Sequence, residues 1–222
     1  MVQQPQKVIR VKFEKTGKLQ YISHLDLLRT MQTALRRAKV KMIYSEGFNP
    51  HMKITFALPL SIGTESVCEY MDIRTQPDVD PKYVKESLGK NLPDGMKILD
   101  VYEASSKLTD IKYAAYTAML DYGELSEKAA EVGNTLFSKE LIVTKRTKKG
   151  ERDIDIFPMI KKAECRYEYG CTVVDMILSA DSENYLNAFY LTDALNKEMD
   201  MKEMHRKVMR TQTYFADGKE FR

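Results

Sequence analysis

Apolar residues along this chain alternate, then recur at helical spacing, then alternate again, and the whole succession of periods occurs twice. In "VIRVKFEK" Ile9, Val11 and Phe13 face one way and Arg10, Lys12 and Glu14 the other, the period of a half-buried strand. "SHLDLLRTMQTALRRAKV" follows, with Leu25, Leu28, Met31 and Leu35 at helical spacing. Ser23 is placed to cap this helix, with Asp26 completing an S-x-x-D capping box. "VKMIY", "KITFALPL" and "CEYMDIRT" read as strands, the last alternating Met71 and Ile73 against Asp72 and Arg74. Asp80–Pro81 starts a second helix, because proline has no amide to satisfy in a first turn. The turn "LPDG" then leads into a strand at "MKILDVYEA".

After the polar stretch "SSKLTD", a candidate linker, the order repeats. "IKYAAYTAMLDY" is a strand with Tyr116, Leu120 and Tyr122 on one face. "LSEKAAEVGNTLFS" is a helix with Leu125, Ala129, Val132 and Leu136 as its apolar stripe. "ELIVTKR" and "RDIDIFPMI" are strands joined by a basic turn, and "AECRYEY" and "TVVDMILSA" form another hairpin. "NYLNAFYLTDALNKEM" is a helix burying Tyr185, Ala188, Leu191, Leu195 and Met199, and a last strand lies within "HRKVMRTQTYF". Strand–helix–strand–strand–helix–strand, twice, predicts an α+β protein of two tandem ferredoxin-like (βαββαβ) halves with antiparallel sheets, over 1–106 and 107–222.

Several function classes lose support at the level of composition. The chain is 43% hydrophobic and 30% charged, with a net charge of +3, so nucleic-acid binding has to rest on local clusters. No apolar run approaches the roughly 18 residues of a membrane span, and the opening "MVQQPQKVIRVKFEK" lacks a signal peptide's apolar core, so the expected location is cytoplasmic. Cys68, Cys165 and Cys171 make no CxxC pair, and Cys165 and Cys171 fall in strands, where a small buried thiol is the ordinary reading. His24, His51 and His205 are scattered without HExxH spacing. No GxGxxG, GxxxxGK[ST] or GxSxG motif is present. Neither a metal site nor a cofactor is expected.

Three stretches carry residues that folding alone does not require. The first helix puts His24 and Asp26 in its opening turn and leaves Arg29, Arg36 and Arg37 off the apolar stripe. These form either a solvated face or a basic one beside a cleft. The second stretch is "YSEGFNPHMK", residues 44–53. Gly47 and Asn49–Pro50 make a turn; Ser45, Glu46, Phe48, His51 and Lys53 are surplus to it. Phe48 either folds back on the core or stands at the tip, and a loop mixing an aromatic with donors and a base suits stacking plus phosphate contact. The third is "KRTKKGERDIDI", where Lys145, Arg146, Lys148, Lys149 and Arg152 crowd a hairpin. It is a solvated tip or a phosphate-seeking finger. Asp153 and Asp155 alternate on the next strand, where ion pairing is favoured over Mg²⁺. The expectation is that the surplus of the loop shares one cleft with His24, Asp26 and the basic hairpin, and that Arg36, Arg37, Asn49, Asp153 and Asp155 also belong to the binding residues.

The run from "VIRVKFEK" through "YISHLDLLRTMQTALRRA" and "YSEGFNPHMK" to "CEYMDI" closely resembles the radical SAM-linked protein family, as do "KRTKKGERDIDIFPMI" and "HRKVMRT". Met52 departs from that pattern, where a second proline or a small residue is expected. The resemblance implies a domain encoded beside, or fused to, a cobalamin-binding-type radical SAM protein, and so implies that protein as a partner. A radical SAM enzyme holds its cluster through a CxxxCxxC-type run, which Cys68, Cys165 and Cys171 cannot supply. The expectation is therefore a non-catalytic accessory or substrate-presenting module binding RNA or a ribonucleoprotein, with no membrane partner. The alternatives are an RNA-processing endoribonuclease using His24 or His51 as base with Lys53 or Arg146 stabilising charge, and a protein–protein adaptor.

Overall fold

A computed structural model describes residues 5–147, 150–181 and 184–222, and the side chains of Arg146 and Thr147 are not among what it describes. The chain forms two compact units, Met1–Asp110 with Arg222, and Ile111–Phe221. Each has a mixed α+β fold with helices packed on an antiparallel sheet.

In the first unit β1 (Lys7–Lys15) pairs antiparallel with β3 (Thr64–Thr75) and β4 (Met96–Glu103), while β2 (Ile54–Phe56) pairs with β3. The strand order is therefore β4-β1-β3-β2. Period-two alternation puts Ile9, Val11, Phe13, Met71 and Ile73 on one face, where α1 (His24–Arg37) and α2 (Pro81–Gly89) cover them. Ser23 caps α1, its hydroxyl accepting the Asp26 amide at 3.1 Å and donating to the Asp26 carboxylate at 2.6 Å. Asp80 caps α2 by accepting the Lys82 amide at 3.0 Å.

The first expected helix stripe holds at Met31 and Leu35, which are fully buried, and fails at its start, with Leu28 half-buried. Leu27, Met31, Ala34 and Leu35 are buried, whereas Leu25 is exposed. Both sets have helical spacing and share Met31 and Leu35; the sheet selects Leu27 over Leu25 for the first turn. "VKMIY" is not a strand: only Met42 and Tyr44 make isolated bridges, to Thr75 and Met52. "KITFALPL" shortens to β2, and "CEYMDIRT" is the second part of a longer strand.

The second unit holds β5 (Tyr113–Asp121), α3 (Ser126–Leu136), β6 (Ile142–Thr147), β7 (Gly150–Asp155), β8 (Ile160–Glu168), β9 (Cys171–Ser179), α4 (Phe189–Glu198) and β10 (His205–Tyr214). Its sheet has the order β10-β5-β9-β8, all antiparallel, and β6–β7 is a separate two-stranded hairpin between α3 and β8. The stripe of α3 is Ala129, Ala130, Gly133 and Leu136, with Leu125 exposed and Val132 half-buried. Glycine decides that rotation: a β-carbon on Gly133 would stand 2.6 Å from the Cys165 Sγ. The last expected helix begins only at Phe189, so Tyr185 precedes it, while Ala188, Leu191 and Leu195 are buried as expected. Cys171 is half-buried rather than buried.

Candidate functional site

The loop between Tyr44 and Met52 is closed by three hydrogen bonds between two residues, Ser45 and His51. The Ser45 amide donates to the His51 carbonyl at 2.8 Å, the His51 amide donates to Ser45 Oγ at 3.0 Å, and Ser45 Oγ bonds His51 Nδ1 at 2.8 Å. Its base is braced by the sheet. Lys53 donates to the Ile43 carbonyl, Ile43 to the Arg74 carbonyl and Arg74 to the Lys53 carbonyl, at 2.8 to 3.1 Å. Gly47 turns the chain with φ +117°, a conformation that L side chains rarely adopt, although the space around it is open.

This bracing presents Phe48 at the tip with 106% of its reference surface in solvent. Glu46, Gly47, Asn49, Pro50 and His51 are exposed around it, Ser45 is partly buried, and Tyr44 is 44% exposed at the root. Monomeric proteins bury phenylalanine for the 1.5–3 kcal/mol or so that burial returns. Here the ring is held away from the core by a closed loop, as stacking or docking requires. The ring of His51 is tethered through Nδ1, which orients it.

His24 and Asp26 occupy another place. The His24 ring packs edge-on against Phe56, centroids 5.2 Å apart, and Phe56 packs against Phe13. Asp26 is engaged by Ser23 and lies 3.6 Å from Arg29. Five residues of extended chain, about 16 Å, separate Phe56 from His51. Arg36 and Arg37 are exposed in the last turn of α1, where cations complement the helix dipole. Ten residues of helix, about 15 Å, part Asp26 from Arg36. The structure therefore joins Ser45 to His51 and gathers Glu46, Phe48 and Asn49 on the same loop, with Lys53 in its brace. The partners of His24 and Asp26 are Phe56, Ser23 and Arg29.

The basic hairpin belongs to the second unit. Lys145 lies directly opposite Arg152 in the ladder, like charges facing across a pair of strands, which weakens a hairpin. Asp153 accepts a hydrogen bond from the Thr144 hydroxyl at 2.7 Å. Asp155 accepts the Leu141 and Phe157 amides at 3.0 and 2.9 Å, closing the hairpin base. Each carboxylate is engaged through its Oδ1, and among the described residues no group of three His, Cys, Asp or Glu side chains is placed to hold a metal. Lys148 and Lys149, and the side chain of Arg146, lie outside the described residues.

Pattern reading missed two features. Tyr44 looks like an inward strand residue in sequence and stands partly in solvent. Arg10 looks like an outward residue and is wholly buried, gripping both Asp72 oxygens at 2.8 and 2.9 Å and the Ser106 hydroxyl and carbonyl at 2.7 and 2.8 Å. No one-residue signal marks either.

Residues 8–188 match the family described as "Uncharacterized protein conserved in bacteria (DUF2344)", a span that includes the loop, α1 and the hairpin. The chain belongs to this family. No curated protein matches it. Among solved structures, a Cbf5-Nop10-Gar1 complex is similar at 10% identity and a TM-score of 0.49, over 92% of this chain and 48% of that one. The family member thus spans about half the length of that chain. An unknown protein from Galdieria sulphuraria aligns at 13% identity and a TM-score of 0.27, covering 92% and 96% of the two chains. A putative glycine cleavage system transcriptional repressor aligns at 11% and 0.26, covering 92% and 98%. No helix is long and apolar enough to cross a membrane among the described residues.

Proposed function

We propose that this family member is an accessory, substrate-presenting module for a radical SAM enzyme, and that it presents RNA. The observation carrying the reading is Phe48, fully exposed on a loop that Ser45 and His51 close and the sheet braces. A rigid, solvent-facing aromatic stacks on an unpaired base at low entropic cost, worth about 1–3 kcal/mol per base. The opposed Lys145 and Arg152 of the hairpin support phosphate contact, since a like-charged pair there serves no folding purpose. The resemblance to the radical SAM-linked family supports the partner, and three cysteines with no cluster spacing support an accessory role beside it.

We further infer that each unit is a ferredoxin-like half. The order β4-β1-β3-β2 with two helices on one face supports this, and β10-β5-β9-β8 repeats it around an inserted hairpin.

The direct test is co-purification of the chain with the neighbouring radical SAM protein, followed by binding of structured and single-stranded RNA at increasing salt. Recovery of both interactions is the expected result. Partner binding with no RNA affinity leaves a protein–protein adaptor. A metal-independent endoribonuclease is the second reading, favoured by the tethered ring of His51. Cleavage lost in His51→Ala would establish it in place of the accessory role.

A further inference from the structure

A concavity of about 420 Å³ lies along α1 on the side of the connection after α2. Arg29, Thr30, Thr33 and Arg37 form one wall, and Asn91 with Leu92 and Pro93 forms the other. The spacing i, i+1, i+4, i+8 puts all four α1 side chains on one helix face. Arg29 and Arg37 are eight residues apart, so their stems leave the helix about 12 Å from one another.

The lining carries no carboxylate among the described residues: two arginines, two threonines and Asn91 supply its polar groups, beside Ala34, Leu92 and Pro93. The side chains of Arg37, Thr30 and Thr33 have no hydrogen bond or ion pair among the described residues, and that of Arg29 has only a loose contact with Asp26 at 3.6 Å. Exposed pairs of that kind are worth little, so Arg29 is easily recruited. The helix dipole accounts for an arginine at the last turn, but it accounts equally for Arg36 and gives no reason for a cationic groove. Arg29 is in the second turn, where the dipole offers it nothing.

We propose that this groove binds phosphate oxyanions spaced along an extended ligand, Arg29 and Arg37 each forking onto one phosphate with the threonine hydroxyls donating between them. Guanidinium geometry suits bidentate phosphate contact, and two of them about 12 Å apart need a ligand with more than one phosphate. Either an RNA backbone or a free polyphosphate supplies that chemistry. The RNA source rests on the function proposed above; the oxyanion site does not.

The test uses the full chain with two probes, sodium tripolyphosphate by calorimetry and a labelled single-stranded RNA by anisotropy. Arg29→Ala/Arg37→Ala is expected to lose about tenfold in affinity for both, and to lower the log–log salt slope for RNA by about 1.4, from about 0.7 per contact. Arg29→Lys/Arg37→Lys keeps the charge and is expected to retain the slope while losing part of the affinity. Tripolyphosphate bound through these arginines, with no RNA bound, upholds the groove and sinks the RNA reading. RNA binding unchanged in both variants, with no tripolyphosphate bound by wild type, overturns the groove and leaves the loop reading standing.

Discussion

At the scale of single residues, the loop separates what folding needs from what it leaves over. Gly47 supplies a backbone angle, and Ser45 and His51 supply closure. Phe48 contributes nothing to the core, so Phe48→Ala should leave stability within about 0.5 kcal/mol of wild type in urea unfolding. Ser45→Ala removes the hydroxyl that holds both the amide and the ring of His51, and should cost about 1 kcal/mol. It should also weaken RNA binding as Phe48→Ala does, because the tip is then no longer presented. Cys165 offers a pH test. Burial pushes its thiol from 9.0 up to about 12, with Asp175 and Glu164 adding to the rise. The thiol is charged only without its proton, so the folded chain holds that proton more tightly than the unfolded one. The resulting stability is complete below pH 9 and is lost as pH climbs toward 12. Denaturant midpoints should fall across that window, less so in Cys165→Ala.

At the scale of elements, contact with the sheet decided what periodicity could not. Leu25 and Leu27 both begin helical stripes, and Val132 and Gly133 both sit at stripe positions; only the packing partner selects between them. For α3 the partner is β8, which approaches so closely that a side chain on Gly133 would strike Cys165. Gly133→Ala should therefore destabilise by about 1–3 kcal/mol, although alanine is the better helix former by about 1 kcal/mol. Cys165→Ala should relieve part of that loss, which a double-mutant cycle in urea would measure. The strands β1, β5 and β9 were legible as elements, although Arg10 of β1 is buried on the face read as outward. "VKMIY" was not, because five alternating residues predict an extended chain but not whether a neighbour completes the ladder. The site was legible to the same degree. The residues of the loop stood out as surplus, whereas the place of His24 is set by its packing on Phe56 of β2, which cannot be read from residue type.

At the scale of the whole molecule, each unit buries its apolar face under two helices, and the first also buries a charge. Arg10 has no solvent contact, and Asp72 and Ser106, with the Arg222 carbonyl at 3.4 Å, accept hydrogen bonds that replace water. Arg10→Ala should cost about 3–5 kcal/mol in thermal or urea unfolding, since it strands the Asp72 carboxylate beside the core. Shape and charge then lead to function by one route: a folded frame carries an aromatic tip on a braced loop and cations that folding does not use. The most direct test of that claim is the affinity of the full chain for labelled single-stranded RNA across a salt series, compared with Phe48→Ala. The account predicts that log affinity falls linearly with log salt, and that Phe48→Ala lowers affinity by about 1–3 kcal/mol with an unchanged slope, because stacking carries no charge. Affinity that is absent, or that is identical in the two proteins, would contradict it.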